Sequence, residues 1–64
     1  MKIKYDIGID TVYIHFNNQL VKESYEVNPG FIIDYSDKDL IVAIEILDAS
    51  KKFPSPGRIE YESA

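Results

Sequence analysis

The chain has 64 residues, no cysteine, one histidine and a formal net charge of −4. These counts exclude disulfides, thiolate metal sites and a multi-histidine zinc site within one chain. The acidic balance argues against binding a phosphate backbone or an anionic membrane surface. A chain of this size buries only about 60% of its unfolded surface, so its support comes from an adequate monomer core, from oligomerisation or from a protein partner.

Lys2 to Tyr5 alternates polar and apolar residues and is expected to be a strand. Asp6 to Asp10 follows as a turn, with Gly8 free to take a positive φ and the two aspartates able to accept local backbone hydrogen bonds. Thr11 to Phe16 is the second strand, with Val12, Ile14 and Phe16 on one face and Thr11, Tyr13 and His15 on the other. Asn17-Asn18-Gln19 suits a hairpin connection, leading to a third strand over Leu20 to Val27. In Asn28-Pro29-Gly30, proline presets the first central position of a type II turn and glycine supplies the positive φ of the second.

Phe31 to Tyr35 and Leu40 to Leu47 form a fourth and a fifth strand around Ser36-Asp37-Lys38-Asp39. The run from Leu40 to Leu47 is the most apolar in the chain and is apolar on both faces, which predicts a central strand needing cover on both sides. Asp48 to Phe53 suits one or two helical turns, with Asp48 as N-cap and Lys51 and Lys52 at the C-terminal end of the dipole, stopped by Pro54. The expected fold class is mainly β: a small antiparallel β-meander of about five strands with a short C-terminal helix. Residues 1–53 form one β-rich domain, and residues 54–64 are a tail or an added edge strand.

Asp34, Ser36, Asp37 and Asp39 cluster oxygen ligands as a calcium loop would. The glycine and distal bidentate glutamate of that pattern are missing, so a polar hairpin turn is the better reading. Glu45 sits inside the most apolar run. Burial there would raise its pKa, as a general acid or base requires, whereas pairing with Lys4, Lys22 or Arg58 or facing solvent is the structural alternative. His15, with Tyr13 on the same face, has the residue types for acid–base chemistry but no second histidine or basic cluster beside it. Neither a nucleophile elbow nor a phosphate-cradling loop is present. The five tyrosines and three phenylalanines fit core packing or a protein interface better than base stacking.

Met1 to Asp6, Asp10, Val12-Tyr13-Ile14, Ser24, Glu26-Val27, Gly30, Ile33-Asp34-Tyr35 and Ala43 to Ser50 together resemble a small prokaryotic family, domain of unknown function number 2283. The resemblance covers residues 1 to 50, and Ile44 to Ser50 is its most specific part. The sequence departs from the pattern at Asp39 and Ala43, where such sequences more often carry glycine. The resemblance implies a small stand-alone protein with no established activity, in some cases encoded beside toxin-like small proteins. It also implies that Asp34, Glu45, Asp48 and Ser50 fix turns and cap the final helix.

The expected function is that of a small non-enzymatic protein-interaction module, a homo-oligomer or the antitoxin-like partner of a small basic protein. The alternative is a ligand-binding protein or enzyme with a site at a protomer interface around Glu45, Asp34 and His15. No cofactor, metal, nucleic-acid or membrane partner is expected. The opening residues Met1 to Asp6 show no leader, and no stretch approaches the roughly 20 apolar residues of a membrane span, so the expected location is the cytoplasm.

Overall fold

A computed structural model describes residues 1–64. Strands β1 (Lys2–Asp6), β2 (Thr11–His15), β3 (Glu23–Asn28), β4 (Phe31–Tyr35) and β5 (Ile41–Ile46) precede one short helix, α1 (Ala49–Lys52). The chain is therefore mainly β, as its period-two runs predict. All neighbouring strands pair antiparallel, in the order β1-β2-β5-β4-β3. The two-sided apolar run supplies the central strand, between β2 and β4, but the cover expected on both of its faces is incomplete: Leu40 and Ile41 stay exposed.

The strand order differs in one respect from a meander in chain order. Residues 17–19 do not close a hairpin between β2 and β3, because β5 enters between β2 and β4. The connection instead crosses the end of the sheet: the Phe16 N–H donates to Val42 O at 2.8 Å, Asn17 Nδ2 to Ile41 O at 3.0 Å, and the Lys22 N–H to Tyr35 O at 2.8 Å. Burial explains the exchange. Every residue of β3 is exposed, so this polar strand loses least at the edge, and β5 gains most in the middle. Leu20 and Val21 lie in the crossing segment rather than in β3 and are exposed.

The turns depend on four residues with positive φ outside glycine, three of them aspartates. Gly30 takes φ +79° after Pro29, as the type II turn requires. In the first turn the left-handed residue is Asp10 (φ 51°), not Gly8. Asp6 accepts the Gly8 N–H at 3.0 Å, closing an Asx turn. Between β4 and β5 the buried Ser36 hydroxyl accepts the N–H groups of Lys38 and Leu40, and Asp39 adopts φ 59°. An aspartate costs more than glycine in that region. Asp39→Gly is therefore expected to stabilise the protein by about 0.5–1 kcal/mol, seen as a higher urea midpoint at unchanged slope; a lower midpoint would refute the account.

The fully shielded apolar residues are few: Val12, Val42, Ala43 and Ala49. The sheet is a single layer, and α1 sits at one end of it. Residues 58–64 carry no regular secondary structure. No helix is long and apolar enough to cross a membrane.

Candidate functional site

Strand register sorts the side chains onto two unlike faces. Tyr5 and Ile3 of β1 lie opposite Val12 and Ile14 of β2, which lie opposite Ile46 and Ile44 of β5. Ile33 of β4 and Tyr25 of β3 continue the same row. Tyr25 meets Tyr35 edge-on, with ring centroids 5.9 Å apart. This face is apolar. The other face carries Lys2 and Lys4, Tyr13 and His15, Glu45, Asp34, Ser24 and Glu26, and is polar and mixed in charge.

Three of the candidate residues share the polar face. Asp34 and His15 both lie opposite Ala43, and Glu45 lies opposite Tyr13 and Ile32. Asp34 is only 8% exposed, and its Oδ1 accepts a hydrogen bond from Ser24 Oγ at 2.6 Å. Burial among its neighbours pushes the Glu45 carboxyl above the ordinary range. The negative charge of Asp34 and a hydrogen bond to it push the same way, and His15 opposes them. None of the expected ion pairs with Lys4, Lys22 or Arg58 forms, and Arg58 pairs with Glu60 instead. His15 is exposed and stacks on Tyr13, with centroids 6.2 Å apart. Chemically, the face offers two neighbouring carboxyls, the Glu45 one raised, with an imidazole at its flank.

These residues do not line a common cavity. A shallow cavity of about 510 Å³ brings His15 beside Lys2, Lys4 and Asn17, and neither it nor the two others is lined by Asp34 or Glu45. No group of three or more His, Cys, Asp or Glu side chains is placed to hold a metal ion.

Asp48 and Ser50 lie elsewhere, at the start of α1. Asp48 occupies the N-cap position but is left-handed (φ 52°), and its side chain makes no capping hydrogen bond, contrary to the expectation for it. Asp10 does that work from the first turn. Its backbone carbonyl accepts the Ala49 N–H at 2.9 Å, and its carboxylate accepts the Ser50 N–H and the Ser50 Oγ, the latter at 2.7 Å. Tyr5 OH donates to the same carboxylate at 2.7 Å. Hydrogen bonds from Ser50 and then Tyr5 hold the Asp10 carboxyl below its usual range. The sequence offers no signal for this contact, because an aspartate before a strand reads as a turn residue and its partner is 40 positions away.

Comparison with known proteins gives a family and one relative. The family described as protein of unknown function (DUF2283) matches over residues 2–50. A protein of Methanosarcina mazei named "Putative hypoxanthine phosphoribosyltransferase" is 38% identical over 52 residues, covering 81% of this chain and 42% of that protein. The chain thus spans less than half the length of this relative. No solved structure matches.

Proposed function

The chain belongs to the DUF2283 family of proteins of unknown function, and from that premise we propose that it is a small non-enzymatic protein-interaction module that docks protein on its apolar sheet face. The carrying observation is a five-stranded sheet of one layer whose apolar side keeps large residues open, with Ile3, Tyr25 and Val27 at 38%, 51% and 52% exposure. Sheets with one apolar face bury it against a second layer, and here α1 and the segment at Gly57 reach only the end row, at Phe31 and Tyr5, leaving the rest of the face open. The polar face, with Glu45 and the exposed Glu26, remains free to meet a small basic protein in the manner of an antitoxin. The name of the M. mazei relative brings no transferase activity to this reading, because the shared segment is a minor part of that protein.

A second reading rests on one observation: Asp34 and Glu45 are adjacent on one face and the Glu45 carboxyl is raised, as at many ligand and acid–base sites. The two readings separate on capture of the tagged protein from its native host, followed by a hydrogen-exchange footprint of whatever is recovered. A stoichiometric protein that slows exchange across the sheet supports the interaction module. A small molecule that shifts the Glu45 titration, with no protein recovered, supports the ligand site instead.

A further inference from the structure

We infer that the occupant of the apolar face is a second copy of this chain, packed face to face about a twofold axis as a two-layer β-sandwich. The inference rests on the interaction reading above and names its partner. Three observations carry it.

The first is that the sheet edges are guarded. β3 carries Glu23 and Glu26, a register shift between Glu26 and Asn28, and Pro29 at its end. β1 carries Lys2 and Lys4. Edge charges, bulges and proline oppose strand addition, so association is directed to a face.

The second is charge. Ile3, Ile14, Ile44 and Ile33 carry no ionised group, and the carboxylates near this face, Glu23 and Asp39, flank Tyr25 at its β3 end, where Glu23 accepts the Tyr25 hydroxyl. A basic partner would find carboxylates at that end alone. A second copy would meet no repulsion at the isoleucines in the centre of the contact, although each chain carries −4.

The third is area. The accessible surface is 5041 Å² for 7.4 kDa, whereas a compact monomer of that mass exposes about 4,200 Å². The excess of roughly 800 Å², to which the exposed tail contributes, is on the scale of the ~800 Å² that each partner buries in a standard stable interface. Two such faces meet with their sheets about 10 Å apart and the strands within about 30° of one another, so that Ile44 on the central strand approaches its own copy near the twofold axis.

Sedimentation equilibrium of the purified protein tests this, together with isotope-filtered NOEs between labelled and unlabelled copies. The expected species has twice the 7.4 kDa mass, with intermolecular NOEs at the Ile44 methyls. Ile44→Lys is expected to weaken self-association by about 100-fold, since it buries an unpaired charge, and Tyr25→Lys by about 10-fold, since it replaces an aromatic contact with a charge held at the rim by Glu23 and Asp39. Lys4→Glu, on the polar face, should change it by less than about 2-fold. Tyr25 is half exposed in the single chain, so its variant carries the test if Ile44→Lys does not fold. A dimer indifferent to both lysines would overturn the face assignment. A monomeric protein whose apolar face is covered by a different captured protein would overturn the second copy and leave the interaction reading standing. A monomer that captures nothing would end both.

Discussion

Replacing Gly30 with alanine is expected to lower the unfolding free energy by about 1.5–3 kcal/mol, as the sum of backbone strain and a displaced side chain. Gly30 lies at φ +79°, where an L-residue with a Cβ costs about 1–2 kcal/mol. The added Cβ would also fall 2.7 Å from Lys52 Nζ. That ammonium donates to Leu47 O and lies 5.5 Å from the centre of the Phe31 ring, tying α1 back to the start of β4. The lysine can swing away, but only by giving up both contacts, which at this exposed position are worth about 0.5–1 kcal/mol. A domain of this size has roughly 3–10 kcal/mol in all, so the loss is large. Urea unfolding of Gly30→Ala, Lys52→Ala and the double variant separates the two causes. In the Lys52→Ala background the collision is gone and only the strain should remain. A Gly30→Ala midpoint equal to the wild type would mean that the turn is not left-handed.

The parts legible in the sequence are those set by local pattern. Alternation in Lys2–Tyr5 and Phe31–Tyr35 gave strands, Asn28-Pro29-Gly30 gave its turn, and the two-sided apolar run gave the central strand. Strand order was not legible, because Asn17-Asn18-Gln19 has the same turn chemistry whether it closes a hairpin or crosses a sheet end. What decides is how much each strand gains from the middle of the sheet, a property of the whole chain. The resemblance implies glycine at position 39, which fits the left-handed Asp39 found there. Asp34, Glu45 and His15 drew notice by residue type, but their common face follows from the pairings of β2 and β4 with β5, which no spacing encodes. Helix capping by Asp10 was invisible for the same reason.

Glu45→Gln is expected to raise stability at neutral pH and to flatten its pH dependence. The folded-state carboxyl lies above its ordinary value of 4.5 because burial, the charge of Asp34 and the hydrogen bond to Asp34 all favour the protonated form. Between 4.5 and the raised value the folded protein holds more proton than the unfolded chain, so stability falls as pH rises through that window. The penalty is absent below 4.5 and fully present above the raised value. Asp10 acts in the opposite sense: its carboxyl is held below its ordinary 3.8, so the stability from Ser50 and Tyr5 is intact above 3.8 and is lost as pH falls through the lowered value. These two groups therefore place their joint optimum near pH 4, on the acid side of neutrality. Glutamine at position 45 keeps a hydrogen-bond donor for Asp34 without the charge, and His15, which opposes the shift, loses its ionised neighbour. The variant should melt higher than the wild type at pH 7, and the two should converge toward pH 4.5. Glu26→Gln, exposed on β3, serves as the control and should track the wild type. Parallel wild-type and Glu45→Gln profiles would show that the carboxyl titrates alike in the folded and unfolded chains. A neutral-pH penalty that disappears when a bound partner covers the polar face would instead mark that face as one that protein or ligand completes, because only a group with differential interaction in the two states can shift the balance.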